Sequence, residues 1–109
     1  MASSSFELSD LGDGRFALLG DMSFETAEQI RRTSEKLFNA QIGVEVDLSR
    51  VEKTDSAGLA LLLEWISWAR ISDVDIRFSD IPEKVLAIAQ TTEVDDLLTG
   101  FYSSSQPTP

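Results

Sequence analysis

The chain has 109 residues, of which 42% are hydrophobic, and this is enough for one domain with a single core. Its 19 Asp and Glu against 9 Lys and Arg give a formal charge of −10, which repels nucleic-acid phosphates and anionic lipids. It contains no cysteine and no histidine, which excludes disulfides, thiolate nucleophiles, imidazole bases and the usual zinc ligands. The composition therefore favours neither a nucleic-acid-binding protein nor a familiar type of enzyme.

No segment of the chain is typical of a targeting signal or a membrane span. Residues 1–5 lack the basic and apolar regions of a secretory signal, and residues 100–109 form a Ser/Pro tail. We expect both segments to be disordered and one folded domain to span residues 6–99. The most apolar stretch, residues 57–71, is shorter than the roughly 20 residues that cross a bilayer. We therefore expect a cytoplasmic protein that does not insert into a membrane.

The first third of the chain predicts a β-hairpin followed by a helix. Residues 6–8 and 15–19 have strand-forming composition and flank a loop at residues 9–14 that is rich in Gly and Asp. Ser23 then precedes apolar residues at helical spacing. This pattern predicts a helix that Ser23 caps and that runs to about Asn39.

The rest of the chain alternates strand and helix patterns. Val44, Val46 and Leu48 alternate with acidic residues, which predicts a strand that stops at Ser49 and Arg50. The next patterns predict a helix at residues 57–71 behind a cap cluster at 54–56, a strand at 75–79 and a helix from Pro82 through residue 89. This order predicts an α/β domain with a mixed sheet and its helices packed on that sheet.

Two short motifs in this order are typical of a known family. A strand that ends in Asp47-Leu48-Ser49 leads, after a short loop, to Asp55-Ser56-Ala57-Gly58-Leu59 at the start of the long helix. Both motifs and their spacing resemble the STAS domain, in which Asp-Leu-Ser precedes Asp-[Ser/Thr]-x-Gly-Leu. A weaker likeness extends from about residue 16 to residue 98 and includes Gly20-Asp21 and Ile81-Pro82. The resemblance implies the STAS fold.

Within that family, the apolar run from Gly58 to Leu63, followed by Trp65 and Ala69, is most similar to the MlaB-like branch. This resemblance implies a non-catalytic accessory subunit that binds the ATPase subunit of a phospholipid-transport ABC system. Such a subunit lies at the cytoplasmic face of the inner membrane and supports outer-membrane lipid asymmetry. The chain also resembles the anti-sigma-factor antagonists, which implies a phosphorylation-controlled protein-binding switch.

The start of the long helix has two interpretations. Asp55 and Ser56 can cap the helix, since an oxygen at a helix N-terminus accepts a free backbone N–H and stabilises by about 0.5 to 2 kcal/mol. The lack of bulk at Ala57 and Gly58 also leaves room for the backbone of a partner, which favours a contact or regulatory role for Ser56. In the antagonist branch the residue that matches Ser56 is phosphorylated, so the resemblance makes Ser56 the candidate phosphorylation site.

The long helix carries an unusually wide apolar arc. Its expected core stripe consists of Leu59, Leu62, Leu63, Ile66 and Ala69. Leu61, Trp65 and Trp68 extend the arc to roughly 220°. Two interpretations stay open here. Either the helix at residues 83–89 buries both tryptophans, or Trp68, with or without Trp65, anchors a partner, because Trp is enriched at binding hot spots.

These observations together predict a protein-binding surface and no active site. The predicted contact residues are Thr54, Asp55, Ser56, Ala57, Gly58, Leu61, Trp65, Trp68, Pro82, Glu83 and Val85. Ser56 has no histidine to act as its base, so we predict no catalytic residue. Asp21, Asp47 and Asp55 could meet at one edge of the sheet, but acidic residues in loops and caps usually need no cation. We therefore predict no metal site and no cofactor.

Overall fold

The computed structural model describes residues 5–103, which form a five-stranded sheet and three α-helices. The strands are β1 (Phe6–Gly12), β2 (Arg15–Met22), β3 (Gly43–Thr54), β4 (Asp75–Ser79) and β5 (Tyr102–Ser103). The helices are α1 (Ala27–Phe38), α2 (Ser56–Ser72) and α3 (Glu83–Thr91), and a short 3-10 helix follows at Asp95–Leu97. The sheet order is β1-β2-β3-β4-β5, with β1 antiparallel to β2 and all other neighbours parallel. The predicted α/β fold with its hairpin and mixed sheet is confirmed.

Alternation along the strands decides which face of the sheet is buried. The buried strand residues include Phe16, Leu18 and Met22 of β2, Val44, Val46, Leu48 and Thr54 of β3, and Ile76 and Phe78 of β4. The helices complete this core with Ile30 and Phe38 of α1, Leu59, Leu62, Ile66 and Ala69 of α2, and Val85 and Ala89 of α3. The stripe predicted for α2 is confirmed at four positions, and the fifth, Leu63, is half-buried.

Strand β3 is longer than its sequence pattern predicted. The prediction that it stops at Ser49 and Arg50 was wrong, because the chain beyond Ser49 stays paired with β2 up to Thr54. Two register irregularities in this pairing absorb the extra residues. As a result Thr54 lies beside Met22, so that the loops that follow β2 and β3 leave the sheet together.

Helix α1 begins later than predicted, and Ser23 is not its cap. The helix starts at Ala27, and the residue before it, Thr26, has no side-chain cap bond. Ser23 instead begins a turn, because its carbonyl oxygen accepts the N–H groups of Thr26 at 3.0 Å and Ala27 at 2.8 Å. Phe24 and Glu25 lie at the tip of that turn, and both are exposed.

The flank of α2 that contains the tryptophans faces α1. The indole N–H of Trp65 donates to the Ser34 hydroxyl at 2.8 Å, and its ring centroid lies 5.5 Å from that of Phe38. On the other side the Trp65 ring stacks on Phe78 of β4 at 6.1 Å. Trp68 is half-buried, with its ring centroid 5.9 Å from that of Phe38. Of the two interpretations left open, burial within the fold fits Trp65, but the covering element is α1 and not the third helix, and Trp68 stays half-buried.

The segment predicted to be a tail begins inside the fold. Phe101 packs against the core, and its carbonyl oxygen accepts the N–H of Phe78 at 2.6 Å, which extends the sheet by the two-residue strand β5. Residues 1–4 and 104–109, the remainder of the two segments expected to be disordered, lie outside the described residues. Between residues 5 and 103, no helix has the combination of length and apolarity that crossing a membrane requires.

Replacing Ser34 should test the contact between α1 and α2. We expect Ser34→Ala to lower the free energy of unfolding by about 1 to 3 kcal/mol, because the buried indole N–H of Trp65 loses its acceptor. Urea denaturation of the purified chain measures this loss. The exposed Ser67 of α2 supplies the control, since Ser67→Ala should change stability by less than about 0.5 kcal/mol. Equal effects of both variants would contradict a structural role for the hydrogen bond.

Candidate protein-binding site at the start of α2

Ser56 is the first residue of α2, and its side chain is exposed. The residue before it, Asp55, has an extended backbone and caps the helix, with Oδ1 accepting the N–H of Ala57 at 2.9 Å. The helix is therefore capped by Asp55 and not by the Ser56 hydroxyl. The structure therefore separates the two roles considered for this pair, with Asp55 as the cap and Ser56 as the accessible hydroxyl.

The Asp55 carboxylate also holds the loop that follows β2. Its second oxygen, Oδ2, accepts the backbone N–H of Phe24 at 3.1 Å. One side chain thus joins the first turn of α2 to a residue 31 positions earlier in the chain. Hydrogen bonds to a charged acceptor contribute about 1.5 to 3 kcal/mol, so this carboxylate fixes both segments in place.

The turn that carries Phe24 is held by hydrogen bonds between its own polar groups. The Thr26 hydroxyl donates to the carbonyl oxygen of Asp21 at 2.9 Å and accepts the N–H of Ser23 at 3.0 Å. Ser23 and Thr26 are buried, whereas the Phe24 side chain is 81% exposed. The hydrogen bonds therefore direct the Phe24 side chain to solvent beside the start of α2.

Gly58 serves the packing of this chain rather than the approach of a partner. It is buried, and a Cβ added to it would lie 3.0 Å from both the carbonyl oxygen and the terminal methyl carbon of Met22 and still closer to the Thr54 hydroxyl. The absence of a side chain lets α2 contact the ends of β2 and β3. The interpretation that Gly58 is kept small for a visiting backbone is corrected accordingly. Ala57, which is half-buried, keeps part of its surface at this position.

Several other predicted contact residues belong to the core. Leu61 and Trp65 are 1% and 3% exposed, so neither can touch a partner in this conformation. Thr54 and Val85 are also buried. These four residues lie on three different elements and are all buried within the chain's own fold, so their assignment to an accessible contact surface does not fit this structure.

The remaining predicted contact residues have accessible surface in different places. Glu83 is exposed and Pro82 is half-buried, and both follow β4, whose last residue, Ser79, pairs with Asp47. Trp68 is half-buried on α2, three turns from Ser56. Of the predicted contact residues, Asp55, Ser56 and Ala57 therefore have accessible surface together at the start of α2.

A groove of about 310 Å³ lies between α1 and α2 and exposes part of Trp68. Of its three charged lining residues, Arg31 and Glu35 form an ion pair, whereas Glu64 forms none among the described residues. Arg31 donates to Glu28 at 2.9 Å and to Glu35 at 2.7 Å, and Arg32 also contacts Glu28. Hydrogen bonds from Arg31 and Arg32 hold the pKa of Glu28 below its ordinary value. Among the described residues the groove therefore keeps one carboxylate without an ion pair, that of Glu64, and no basic group without one.

Two of the three aspartates considered as cation ligands use their carboxylates in hydrogen bonds to backbone N–H groups. Asp55 accepts two backbone N–H groups, and Asp47 Oδ1 accepts the N–H of Ser49 at 2.9 Å. Asp21 contributes its carbonyl oxygen to the turn of Thr26. Within the part of the chain that the structure describes, no group of three or more acidic side chains is placed to hold a metal ion.

Phe24 is the site residue that the sequence did not reveal. Its neighbours Ser23 and Glu25 gave no periodic pattern, and an isolated Phe in a loop is usually assigned to the core. The sequence offered only an apolar residue within a polar turn. The hydrogen bond from the Phe24 N–H to Asp55, which places this residue beside α2, is a tertiary contact that no local pattern reveals.

The fold and the accessible hydroxyl at the start of α2 define this molecule as a STAS domain. The chain belongs to the family described as "Mlab, STAS domain", whose model matches residues 8–99. A comparison with curated proteins found no match. Domains of this kind typically bind and regulate other proteins rather than catalyse reactions.

Solved structures with this fold include anti-sigma factor antagonists. SpoIIAA in its unphosphorylated form is 16% identical, with a TM-score of 0.68 and coverage of 94% of this chain and 89% of that chain. The phosphorylated form of Bacillus SpoIIAA is 14% identical, with a TM-score of 0.65 and coverage of 94% and 92%. An anti-sigma factor antagonist from Mycobacterium paratuberculosis is 17% identical, with a TM-score of 0.61 and coverage of 97% and 87%. At these identities the likeness shows the shared fold.

Substitution of Gly58 tests whether the space beside it is occupied. We expect Gly58→Ala to lower the free energy of unfolding by about 1 to 2 kcal/mol, because overpacking against Met22 and Thr54 outweighs the gain in helix propensity. Chemical denaturation measures the change. Ala60→Gly, at an exposed position of the same helix, isolates the propensity effect and should cost about 1 kcal/mol. A gain in stability for Gly58→Ala would mean that the space is free.

Proposed function

We propose that this chain is a non-catalytic subunit that binds the cytoplasmic ATPase subunit of a phospholipid-transport ABC system. In this role it acts at the cytoplasmic face of the inner membrane and supports outer-membrane lipid asymmetry. The observation that carries the proposal is the exposed Ser56 hydroxyl at the first turn of α2, in a chain of the MlaB family. Asp55 holds this turn in one conformation, so that little ordering is required when a partner binds.

The surface around Ser56 suits protein recognition better than chemistry. The chain has no histidine or cysteine, and the carboxylate adjacent to Ser56 in the chain is that of Asp55. That carboxylate accepts hydrogen bonds from Phe24 and Ala57 through both of its oxygens. It is therefore engaged in holding the backbone, which supports a binding role for this site.

A phosphorylation-controlled switch that sequesters an anti-sigma factor is the second candidate function. The observation that favours it is the same exposed hydroxyl, because a kinase needs access to the side chain that it modifies. A phosphate would add about −1.5 to −2 charges beside Asp55, at a helix N-terminus that favours a negative charge. The fold would then change little, while a partner would meet a very different surface.

Charge and bulk at Ser56 should abolish binding to the ATPase subunit. We expect Ser56→Arg to keep the melting temperature of the domain within a few degrees, because the side chain is exposed. It should eliminate co-purification with the ATPase, because it adds bulk and charge where the partner contacts this chain. Co-purification of the tagged chain with the ATPase from the native membrane fraction is the measurement. Ser72→Arg, at the exposed last residue of α2, is the matched control and should retain the complex.

Retention of the complex by Ser56→Arg would remove Ser56 from the contact.

A second comparison separates the two candidate functions. Neighbouring genes for a permease, an ATPase and a lipid-binding protein favour transport, whereas genes for a kinase and a sigma factor favour the switch. Mass spectrometry of the chain from its native cells then reports whether Ser56 is phosphorylated, which the switch requires and the transport role does not.

A further inference from the structure

We infer that Phe24 and Ser56 form one docking surface, and that the partner surface it fits is an apolar socket with a basic rim. This inference rests on the proposed function, because it specifies the chemistry that the ATPase subunit must present to this chain. The inference adds two features to the proposed contact at Ser56: Phe24 as a hydrophobic anchor and the negative charge around it.

The exposure of Phe24 is built into the fold. Its side chain is 81% exposed, while the flanking Met22, Ser23 and Thr26 are buried. Among the described residues the other large exposed hydrophobic side chains are aliphatic, namely Leu11, Ile42, Ile71 and Leu97. Aromatic residues are enriched at binding hot spots, and a Phe on an ordered backbone loses little conformational freedom when it docks.

Phe24 lies next to the start of α2 because both segments share one acceptor. Asp55 accepts the Phe24 N–H through Oδ2 and the Ala57 N–H through Oδ1. The two N–H groups are therefore separated by a single carboxylate, and a partner that covers Ser56 also meets the Phe24 side chain. The Thr26 hydroxyl, bonded to Asp21 and Ser23, prevents the turn from folding Phe24 inward.

The negative charges around Phe24 indicate that the partner's apolar pocket is surrounded by basic residues. The segment from Asp21 to Glu28 contains three carboxylates and no basic residue. Glu28 forms ion pairs with Arg31 and Arg32 of α1. Among the described residues Asp21, Glu25 and Asp55 form none, so these three carboxylates remain as negative charge near Phe24. A partner with lysine or arginine around its apolar pocket complements this arrangement.

Two other occupants fit these charges poorly. Anionic phospholipid would be repelled by the carboxylates, in a chain whose formal charge is −10. A second copy of the chain would bring the same acidic residues face to face across a two-fold axis. A protein with a basic rim is therefore the occupant that the observations favour.

The test uses the purified ATPase subunit and the full chain. We expect Phe24→Ala to weaken binding by at least about 30-fold in calorimetry or surface plasmon resonance, as is typical of a hot-spot aromatic residue. The fold should be unaffected, because the side chain is exposed. Ile71→Ala is the matched control, since Ile71 is 83% exposed at the other end of α2, and it should stay within about twofold of wild type.

A charge reversal tests the basic rim separately. We expect Glu25→Lys to slow association and to reduce the dependence of the association rate on salt.

If Ser56→Arg abolishes binding while Phe24→Ala and Glu25→Lys bind like wild type, the inference is overturned and the proposed function stands. If the wild-type chain does not bind the ATPase, the proposed function fails and the inference fails with it. Conversion of a dimer to a monomer by Phe24→Ala, seen in light scattering, would also overturn the inference.

Discussion

The Asp55 carboxylate is the interaction on which the candidate site depends. One oxygen caps α2 through Ala57, and the other holds the loop after β2 through Phe24. A negative charge at a helix N-terminus is also favoured by the helix dipole, so the same group stabilises the helix and positions the surface. Without it, the two segments would have no direct polar connection at this point, and the relative position of Phe24 and Ser56 would be set by backbone contacts alone.

This arrangement requires a long β3 and a glycine in α2. Because β3 stays paired with β2 up to Thr54, the loops after the two strands emerge side by side. Because Gly58 has no side chain, α2 can begin directly against Met22. The exposed residues of the site are thus supported by buried ones, which is how a binding surface keeps a defined shape before its partner arrives.

The sequence was sufficient to predict the order of the elements and the most important local contact. Hydrophobic periodicity located the hairpin, β4 and the helices, and the Asp-Ser pair after β3 predicted a capped helix from residue 57, which the structure starts one residue earlier at Ser56. Its limits were the features decided by tertiary pairing. The polar stretch after Leu48 has no strand pattern of its own and becomes a strand only because β2 lies beside it.

Similar reasons explain the errors at the site. A wide apolar arc shows that a helix is covered on two sides but does not show by which element, so Trp65 was assigned to a partner although α1 covers it. Small residues at a helix start look the same whether they admit a partner or the chain's own strand, as Gly58 does. Phe24 had no local signal, because its exposure follows from hydrogen bonds made by Asp55 and Thr26.

The central claim is that the edge formed by Phe24, Asp55 and Ser56 is the contact with the partner. Hydrogen exchange, measured by mass spectrometry on the chain with and without the purified ATPase subunit, tests this most directly. Binding should slow exchange in peptides that cover residues 22–28 and 55–58 and should leave the groove beside Trp68 unchanged. Protection along that groove, with residues 22–28 and 55–58 unaffected, would contradict the account.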